Sequence, residues 1–307
     1  MSSYAIETEN LCKAYGKKVV VNHLNLKVPT GCVYGFLGRN GAGKSTTTKM
    51  LMGMLPPDAG SGRLLGDDIT NIQPSTRARV AYIAEGHPLY AWMTIKQLSR
   101  FTKSFYERWD QTLFDRIIDH FQLVTNRAVK RFSKGQQAQI SLALALAPDP
   151  ELLILDDPTL GLDTVVRRDF MESMIQIIQK QGRTILFSSH ILGDVERVAD
   201  RIGIMVDGVL RADCPTDVFK QSLVKLVLEF NSPPPPNLKF PEATGVVHSR
   251  VFFHQLHVVI VNPDDDHLKL AETLQPKEII REQMNLEDAF LEYTREKRDV
   301  LSFFGGS

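Results

Sequence analysis

The sequence predicts a doubly wound α/β fold, in which a mostly parallel sheet carries helices on both faces. An apolar stretch at 32–37 has the length of a buried strand, and a glycine-rich turn and a helix at 47–52 follow it. Strand and helix patterns alternate again from 152 to 206, as parallel strands joined by crossover helices require. A sheet of this kind binds its ligand beyond the carboxyl ends of its strands.

The composition is that of a folded protein from a reducing compartment. Of the 307 residues 43% are apolar, which suffices for a sizeable core. The 36 basic and 36 acidic residues balance, so total charge gives no indication of nucleic-acid or membrane-surface binding. Cys12, Cys32 and Cys214 are few and widely spaced, which disfavours a disulfide framework. Without a secretion signal or an apolar run near the roughly 18 residues of a membrane span, we expect a soluble chain.

Helices interrupt the strands in the middle of the chain. From 94 to about 148, apolar residues recur at three- and four-residue spacing, which indicates a helical insert between two strands of the sheet. The strands predicted before it are at 4–8, 18–21, 24–28 and 80–84. The elements predicted after it are strands at 152–155, 183–188 and 201–206, helices at 164–180 and 191–199, and a hairpin at 207–208.

Four successive prolines, Pro233 to Pro236, indicate a stiff linker. We therefore expect one domain at 1–225, a proline-rich linker at 226–237 and a small α/β domain at 238–307. The elements predicted in the small domain are strands within 246–261 and a helix at 285–295.

A phosphate-binding loop is predicted where the chain fits the pattern Gly, four residues, Gly-Lys-Ser. Its residues are Gly38, Arg39, Asn40, Gly41, Ala42, Gly43, Lys44, Ser45 and Thr46. The glycines let backbone N–H groups point at a phosphate, and the following helix adds its dipole. We expect Lys44 at the β- and γ-phosphates, Ser45 at a magnesium ion and Thr46 at the α-phosphate. The alternative is a glycine-rich turn that precedes Lys-Ser by chance.

An apolar strand that ends in a carboxylate supplies the expected partner of this loop. Leu152 to Leu155 lead into Asp156, which would hold the magnesium directly or through water. An aspartate that only starts a turn is the alternative.

The segment Phe132–Gln137 allows two interpretations. As a helix start, Ser133 is the N-cap and Gln136 completes a capping box. As a binding site, the Ser133 hydroxyl, the N–H groups around Gly135 and the helix N-terminus suit a γ-phosphate. Its position, some twenty residues before the Asp156 strand and inside the helical insert, favours the second interpretation.

In this order the motifs resemble those of the ATP-binding subunit of an ABC transporter. The resemblance covers roughly residues 4–222 and rests on the phosphate loop, a loop at Glu85, the segment 132–136, the Asp156 strand, the segment 161–163 and His190. It implies a P-loop NTPase sheet with an ABC-type helical insert and an antiparallel β subdomain. It also implies two subunits that meet head to tail, with each ATP between the phosphate loop of one and the Ser133 segment of the other.

The roles of the family carry over to the matching positions. Tyr15 would stack on the adenine, although a tyrosine that half covers a turn is the alternative. Asp163 would communicate across the dimer. His190 would contact the γ-phosphate, and its alternative is a structural histidine. The expected contacts from the second subunit are Ser133, Gly135 and Gln136, and the expected catalytic residues are Asp157, His190 and Lys44.

Two positions depart from the family pattern. Asp157 stands where the family usually has a glutamate that polarises the attacking water, and its shorter side chain predicts slow hydrolysis. Glu85 stands where many relatives have a glutamine that touches magnesium. A carboxylate can also ligate magnesium, and the register of this loop stays open by one or two residues.

Within the family, the segment 82–90, Lys134 and the tail 285–291 resemble the small-exporter branch often called the ABC-2 type. For the tail, an amphipathic helix that packs on its domain is the alternative. We therefore expect a subunit that binds and hydrolyses ATP with magnesium and powers a separate integral-membrane permease, as an exporter. It would pair with a second ATP-binding subunit, in the simplest case a copy of itself. We expect it in the cytoplasm, on the inner face of the cell membrane, without a nucleic-acid partner.

Two other functions stay open. Asp157 is also compatible with a regulatory subunit that closes on ATP and hardly hydrolyses it. A soluble ABC protein of ribosomes or DNA usually carries two such domains in one chain, long coiled coils or basic arms, and the sequence shows none of these.

Overall fold

The computed structural model describes residues 3–179, 182–189 and 191–294, and the chain divides into two compact units between Cys214 and Pro215. The elements up to this division are β1 Tyr4–Tyr15, β2 Lys18–Leu24, β3 Lys27–Pro29, β4 Val33–Gly38, α1 Lys44–Leu51, β5 Ala59–Leu64, β6 Asp67–Asp68, α2 Pro74–Arg77, β7 Val80–Ile83, α3 Ile95–Lys103, α4 Gln111–His120, a 3-10 turn Val129–Arg131, α5 Lys134–Leu146, β8 Leu152–Asp156, α6 Thr164–Gln179, β9 Thr184–Ser189, α7 Leu192–Glu196, β10 Arg201–Val206 and β11 Val209–Pro215.

The central sheet has the strand order β11-β10-β4-β9-β8-β7, and its strands from β10 to β7 run parallel. This confirms the predicted doubly wound α/β fold. Every residue of β4, β8 and β9 is buried, as expected of parallel strands covered on both faces. The carboxyl ends of these three strands lie side by side, so the residues that follow Leu37, Leu155 and Phe187 meet at one edge.

A second, antiparallel sheet has the order β2-β1-β5-β6, with β3 also paired to β1. The predicted antiparallel β subdomain is therefore confirmed, but β1 continues from Tyr4 to Tyr15 instead of ending near residue 8. Its two halves have different partners, since Ile6 pairs with β3 and β5 whereas Tyr15 pairs with Lys18 of β2. β5 was not predicted, because the segment 56–66 is rich in glycine and proline.

Three helices, α3, α4 and α5, form the helical insert. Each begins at a side-chain N-cap, and these are Thr94, Asp110 and Ser133. α4 packs against α5 and buries Leu113, Phe114, Ile117 and Ile118. Three of these, Leu113, Ile117 and Ile118, are apolar residues whose spacing predicted the helix.

The second unit is a four-stranded antiparallel sheet with the order β13-β14-β12-β15. Its elements are α8 Thr216–Ser222, β12 Leu223–Glu229, β13 Val246–Phe252, β14 Gln255–Val261, α9 Asp265–Thr273, β15 Glu278–Gln283 and α10 Leu286–Tyr293. β12 pairs with β14 on one side and with β15 on the other. Residues 223–225, which the sequence placed in the first domain, and residues 226–229, which it placed in the linker, therefore belong to this sheet. In the described part of the chain no helix is both long and apolar enough to cross a membrane.

Candidate nucleotide site

The loop between β4 and α1 has a backbone that requires glycine. Gly41 and Gly43 have φ angles of 84° and 110°, in the left-handed region. A Cβ on Gly43 would lie 2.5 Å from the Val20 carbonyl oxygen and 2.7 Å from Met205 Cε. α1 begins directly after Gly43 and no side chain caps it, so the N–H groups of its first turn can receive an anion.

Lys44 lies folded over this loop. Its Nζ donates to the Gly38 carbonyl at 2.6 Å, and only 8% of the residue is exposed. Burial lowers the pKa of Lys44, and the neighbouring carboxylates of Asp157, Asp156 and Glu85 oppose that shift. The ammonium is thus held where a phosphate chain above the loop would meet it.

Asp156, at the end of β8, accepts three hydroxyl hydrogen bonds. Ser45 and Ser188 donate to its Oδ1 at 3.0 Å and 2.8 Å, and Thr48 donates to Oδ2 at 3.4 Å. The sequence predicted the pair of Ser45 and Asp156, but not Ser188 or Thr48. A signal for Ser188 existed, since it is the last residue of the strand predicted at 183–188, and the structure pairs it with Asp156 across β9 and β8.

Asp157 follows with a left-handed backbone, at φ 45°. Aspartate is among the few residues besides glycine that adopt this conformation readily. Its N–H donates to Ser188 Oγ at 2.9 Å, so Ser188 links both aspartates. Asp157 is 8% exposed.

These groups share one cleft of about 310 Å³. Its lining consists of Val20, Asn40, Gly41, Gly43, Lys44, Ser45, Thr46, Glu85, Asp156, Asp157, Leu160 and Ser188. The structure therefore brings the phosphate loop, which includes Ser45, together with Asp156 and Glu85, the other two residues predicted to hold magnesium. Other predicted site residues are not part of this lining, namely Tyr15, Gly38, Arg39, Ala42, Ser133, Gly135, Gln136 and Asp163. His190 lies outside the described residues.

Tyr15 is the last residue of β1 and is 52% exposed. It pairs with Lys18, two residues before Val20 of the cleft lining. Tyr15 is thus exposed, as adenine stacking requires, and its strand partner is close in sequence to the cleft lining.

The Ser133 turn forms the predicted capping box, and it packs against α6 of the same chain. Ser133 Oγ accepts from the N–H of Gln136 at 3.2 Å, and Gln136 Oε1 accepts from the N–H of Ser133 at 3.1 Å. A Cβ on Gly135 would lie 2.5 Å from Val166 Cγ1. Asp163 Oδ1 accepts from the N–H of Val166 at 3.0 Å and caps α6. The Ser133 turn and the Asp163 cap are therefore neighbours.

His87 is a buried residue that the sequence did not single out. Its Nε2 lies 2.9 Å from the Pro158 carbonyl oxygen, and its ring meets Phe170 edge-on with centroids 6.5 Å apart. Burial lowers the pKa of His87, and the hydrogen bond to Pro158 opposes this. His87 therefore ties the Glu85 loop to the segment that follows Asp157.

A glycine loop between a buried strand and a helix, faced by a strand-end aspartate, defines the P-loop nucleoside triphosphatases. The sequence model of the ABC transporter family matches residues 21–160. The bacitracin transport ATP-binding protein BcrA of Bacillus licheniformis is 34% identical over 71% of this chain and 72% of its own length. The Nod factor export ATP-binding protein I of Burkholderia orbicola (strain AU 1054) is 32% identical over 97% of this chain and 100% of its own.

The solved structure of the ATP-binding subunit of an ABC transporter superposes with a TM-score of 0.64 and 28% identity, over 71% of this chain and 92% of that one. The chain belongs to the ABC transporter family. It is an ATP-binding subunit of such a transporter and an ATPase.

Proposed function

We propose that this chain binds ATP with magnesium in the described cleft and, paired with a second ATP-binding subunit, powers export through a separate integral-membrane permease. The observation that carries the proposal is the convergence of Lys44, Ser45, Asp156 and Glu85 on one cleft. The direction of transport is supported by the relatives, one of which is named for Nod factor export.

Magnesium fits the oxygen atoms present. At metal–oxygen distances of about 2.0–2.1 Å, adjacent ligands of an octahedral ion lie about 2.9 Å apart. Ser45 Oγ and Asp156 Oδ1 are separated by 3.0 Å, so both suit one coordination shell. The ion would neutralise charge on the β- and γ-phosphates. A magnesium titration of the ATPase activity of the parent and of Glu85→Gln tests the third ligand, since identical curves would remove Glu85 from the shell.

We propose two subunits because the two parts of the proposed ATP site are separate within one chain. The phosphate loop lines a cleft to which the Ser133 turn of the same chain does not contribute. Ser133 is exposed at the start of α5, where helix N–H groups and a hydroxyl suit a γ-phosphate. In a head-to-tail pair, each turn would complete the cleft of the other chain.

Hydrolysis is proposed to be slow. Asp157 is the residue that would orient and deprotonate the attacking water, and His190 would contact the γ-phosphate beside it. Lys44 would stabilise the charge that develops on the transferred phosphoryl group. The Asp157 side chain is one methylene shorter than the family's glutamate, and a misplacement of about 1 Å can cost roughly a hundredfold in rate. The same feature supports the alternative function, a regulatory subunit in which ATP mainly closes the dimer.

The permease contact is proposed at an exposed aromatic patch, which we define as Tyr90, Trp92, Phe101 and Phe105. These side chains are 52%, 66%, 38% and 69% exposed. Their rings still contact one another, with centroid distances of 6.2, 5.5 and 5.1 Å along the patch. Clustered exposed aromatic residues are typical of interaction surfaces. The patch follows the Glu85 loop in sequence, so a movement of that loop at the γ-phosphate would be passed to the patch along the chain. This contact would hold the chain on the inner face of the cell membrane.

The experiment is steady-state ATPase activity of the purified chain, alone and reconstituted with its permease in vesicles. We expect magnesium-dependent turnover that the permease stimulates and that Lys44→Ala abolishes. Trp92→Ala should lose the stimulation and keep the turnover of the isolated chain. ATP binding without turnover in the reconstituted transporter would contradict the motor function and support the regulatory one.

A further inference from the structure

A second cleft, between α3 and α4 of the helical insert, has a basic lining. It measures about 440 Å³ and shares no lining residue with the nucleotide cleft. Its lining consists of Lys96, Ser99, Arg100, Lys103, Gln111, Phe114, Asp115 and Thr125. Lys96, Arg100 and Lys103 are spaced by four and three residues along α3, which places them on one helix face.

The charges of this basic cleft are not balanced within the described part of the chain. None of its three cations has an ion pair with a described carboxylate. Asp115 is its acidic lining residue, and Asp115 Oδ1 accepts from Gln111 Nε2 at 3.0 Å. Like charges at these helical spacings repel each other. A bound anion would remove that repulsion.

The balanced total charge conceals this asymmetry. Between residues 94 and 148 the sequence has nine Lys and Arg against four Asp and Glu, whereas the whole chain has 36 of each. The helical insert is thus basic and the remainder of the chain is acidic by the same amount. A field of this sign attracts anions to the insert.

We propose that the basic cleft binds a phosphoryl group, carried by the headgroup of an anionic lipid or by a small soluble phosphate. Three cations on one face suit a tetrahedral anion with several charged oxygens. The hydroxyls of Ser99 and Thr125, which also line the cleft, can donate hydrogen bonds to the same oxygens. The inference stands independently of the proposed permease coupling.

The test compares two double variants of the full chain, with ADP present to fill the nucleotide cleft. Arg100→Gln with Lys103→Gln removes two charges from the basic cleft. Arg116→Gln with Lys130→Gln removes two charges from exposed positions of the same insert that do not line it. One arm measures flotation with phosphatidylcholine vesicles with and without phosphatidylglycerol. The other arm measures calorimetric binding of glycerol 3-phosphate and inorganic phosphate.

We expect phosphate-dependent binding to fall at least roughly tenfold in the cleft variant and to change less than about twofold in the matched variant. If the cleft variant loses binding in the vesicle arm alone, the ligand is a lipid headgroup. If it loses binding in the calorimetric arm, the ligand is a soluble phosphate. The proposal would be overturned by an equal loss of binding in both variants, by the absence of binding in both arms, or by binding of polyglutamate in place of phosphates. Unchanged ATPase activity of both variants verifies that they are folded.

Discussion

At the residue scale, Asp157 has a buried carboxylate, a left-handed backbone and a hydrogen bond to Ser188. The backbone conformation suits aspartate better than glutamate, so this chain combines a favourable turn with a short side chain. If reach limits the rate, Asp157→Glu should raise turnover by roughly tenfold to a hundredfold. Asp157→Asn should abolish turnover and retain ATP binding, because it removes the base and keeps the shape.

The measurement is steady-state ATPase activity at saturating ATP, with nucleotide affinity measured separately. An unchanged or lower rate in Asp157→Glu would show that the site is arranged around the shorter side chain.

The burial of His87 predicts that the free energy of unfolding of the first unit decreases in acid. The pKa of His87 is lowered from the ordinary 6.5 in the folded protein by burial, so below about 6.5 the unfolded chain binds a proton that the folded chain does not. The free energy of unfolding therefore decreases as pH falls through this range, by at most about 1.4 kcal/mol per pH unit. His87→Gln keeps a donor for the Pro158 carbonyl and does not titrate, so it should lose this slope.

Urea unfolding of parent and His87→Gln across the range from about pH 5 to pH 8 measures the difference. Contributions from other groups cancel in that difference. If the free energy of unfolding varied with pH in the same way in both proteins, His87 would have the same protonation in the folded and the unfolded chain.

At the element scale, the Ser133 turn is shaped by the packing of α5 against α6. Gly135→Ala would force its methyl group onto Val166 Cγ1 and should lower the free energy of unfolding by about 1–3 kcal/mol. Adding Val166→Ala makes room, so the double variant should recover part of that loss. Since alanine keeps the N–H, ATPase activity should return with stability.

Chemical unfolding and ATPase assays on both variants measure this, with Val166→Ala alone as the control. Recovered stability without recovered activity would mean that the bound nucleotide leaves no room for a side chain at position 135.

The sequence predicted those elements whose signals are local. The phosphate loop is marked by its glycines, β8 by its apolar run into Asp156, and α5 by the capping box at Ser133. The spacing of Leu113, Ile117 and Ile118 likewise predicted α4.

Features that depend on distant partners escaped prediction. β5 contains glycines yet forms a strand, because β1 pairs with it from residues far away in sequence. β12 belongs to the second unit because β14 and β15 flank it, although the prolines that suggested a linker come after it. His87 has no motif of its own, and only its contact with Pro158 identifies it.

At the scale of the whole molecule, the chain holds the cleft that we propose to bind ATP and, outside the lining of that cleft, the turn that we propose to contact a γ-phosphate. The cleft supplies Lys44 and Asp156, and the turn supplies Ser133 and Gly135. Because one chain does not bring these groups together, we propose that ATP joins two chains and that hydrolysis separates them.

A crystal structure of Asp157→Asn with ATP and magnesium is the most direct test of whether ATP joins two chains. We expect a head-to-tail dimer in which the partner subunit's Ser133 hydroxyl and the N–H of the partner subunit's Gly135 lie within hydrogen-bond distance of each γ-phosphate. A nucleotide whose γ-phosphate contacts only its own chain, with every Ser133 turn distant from it, would contradict the account.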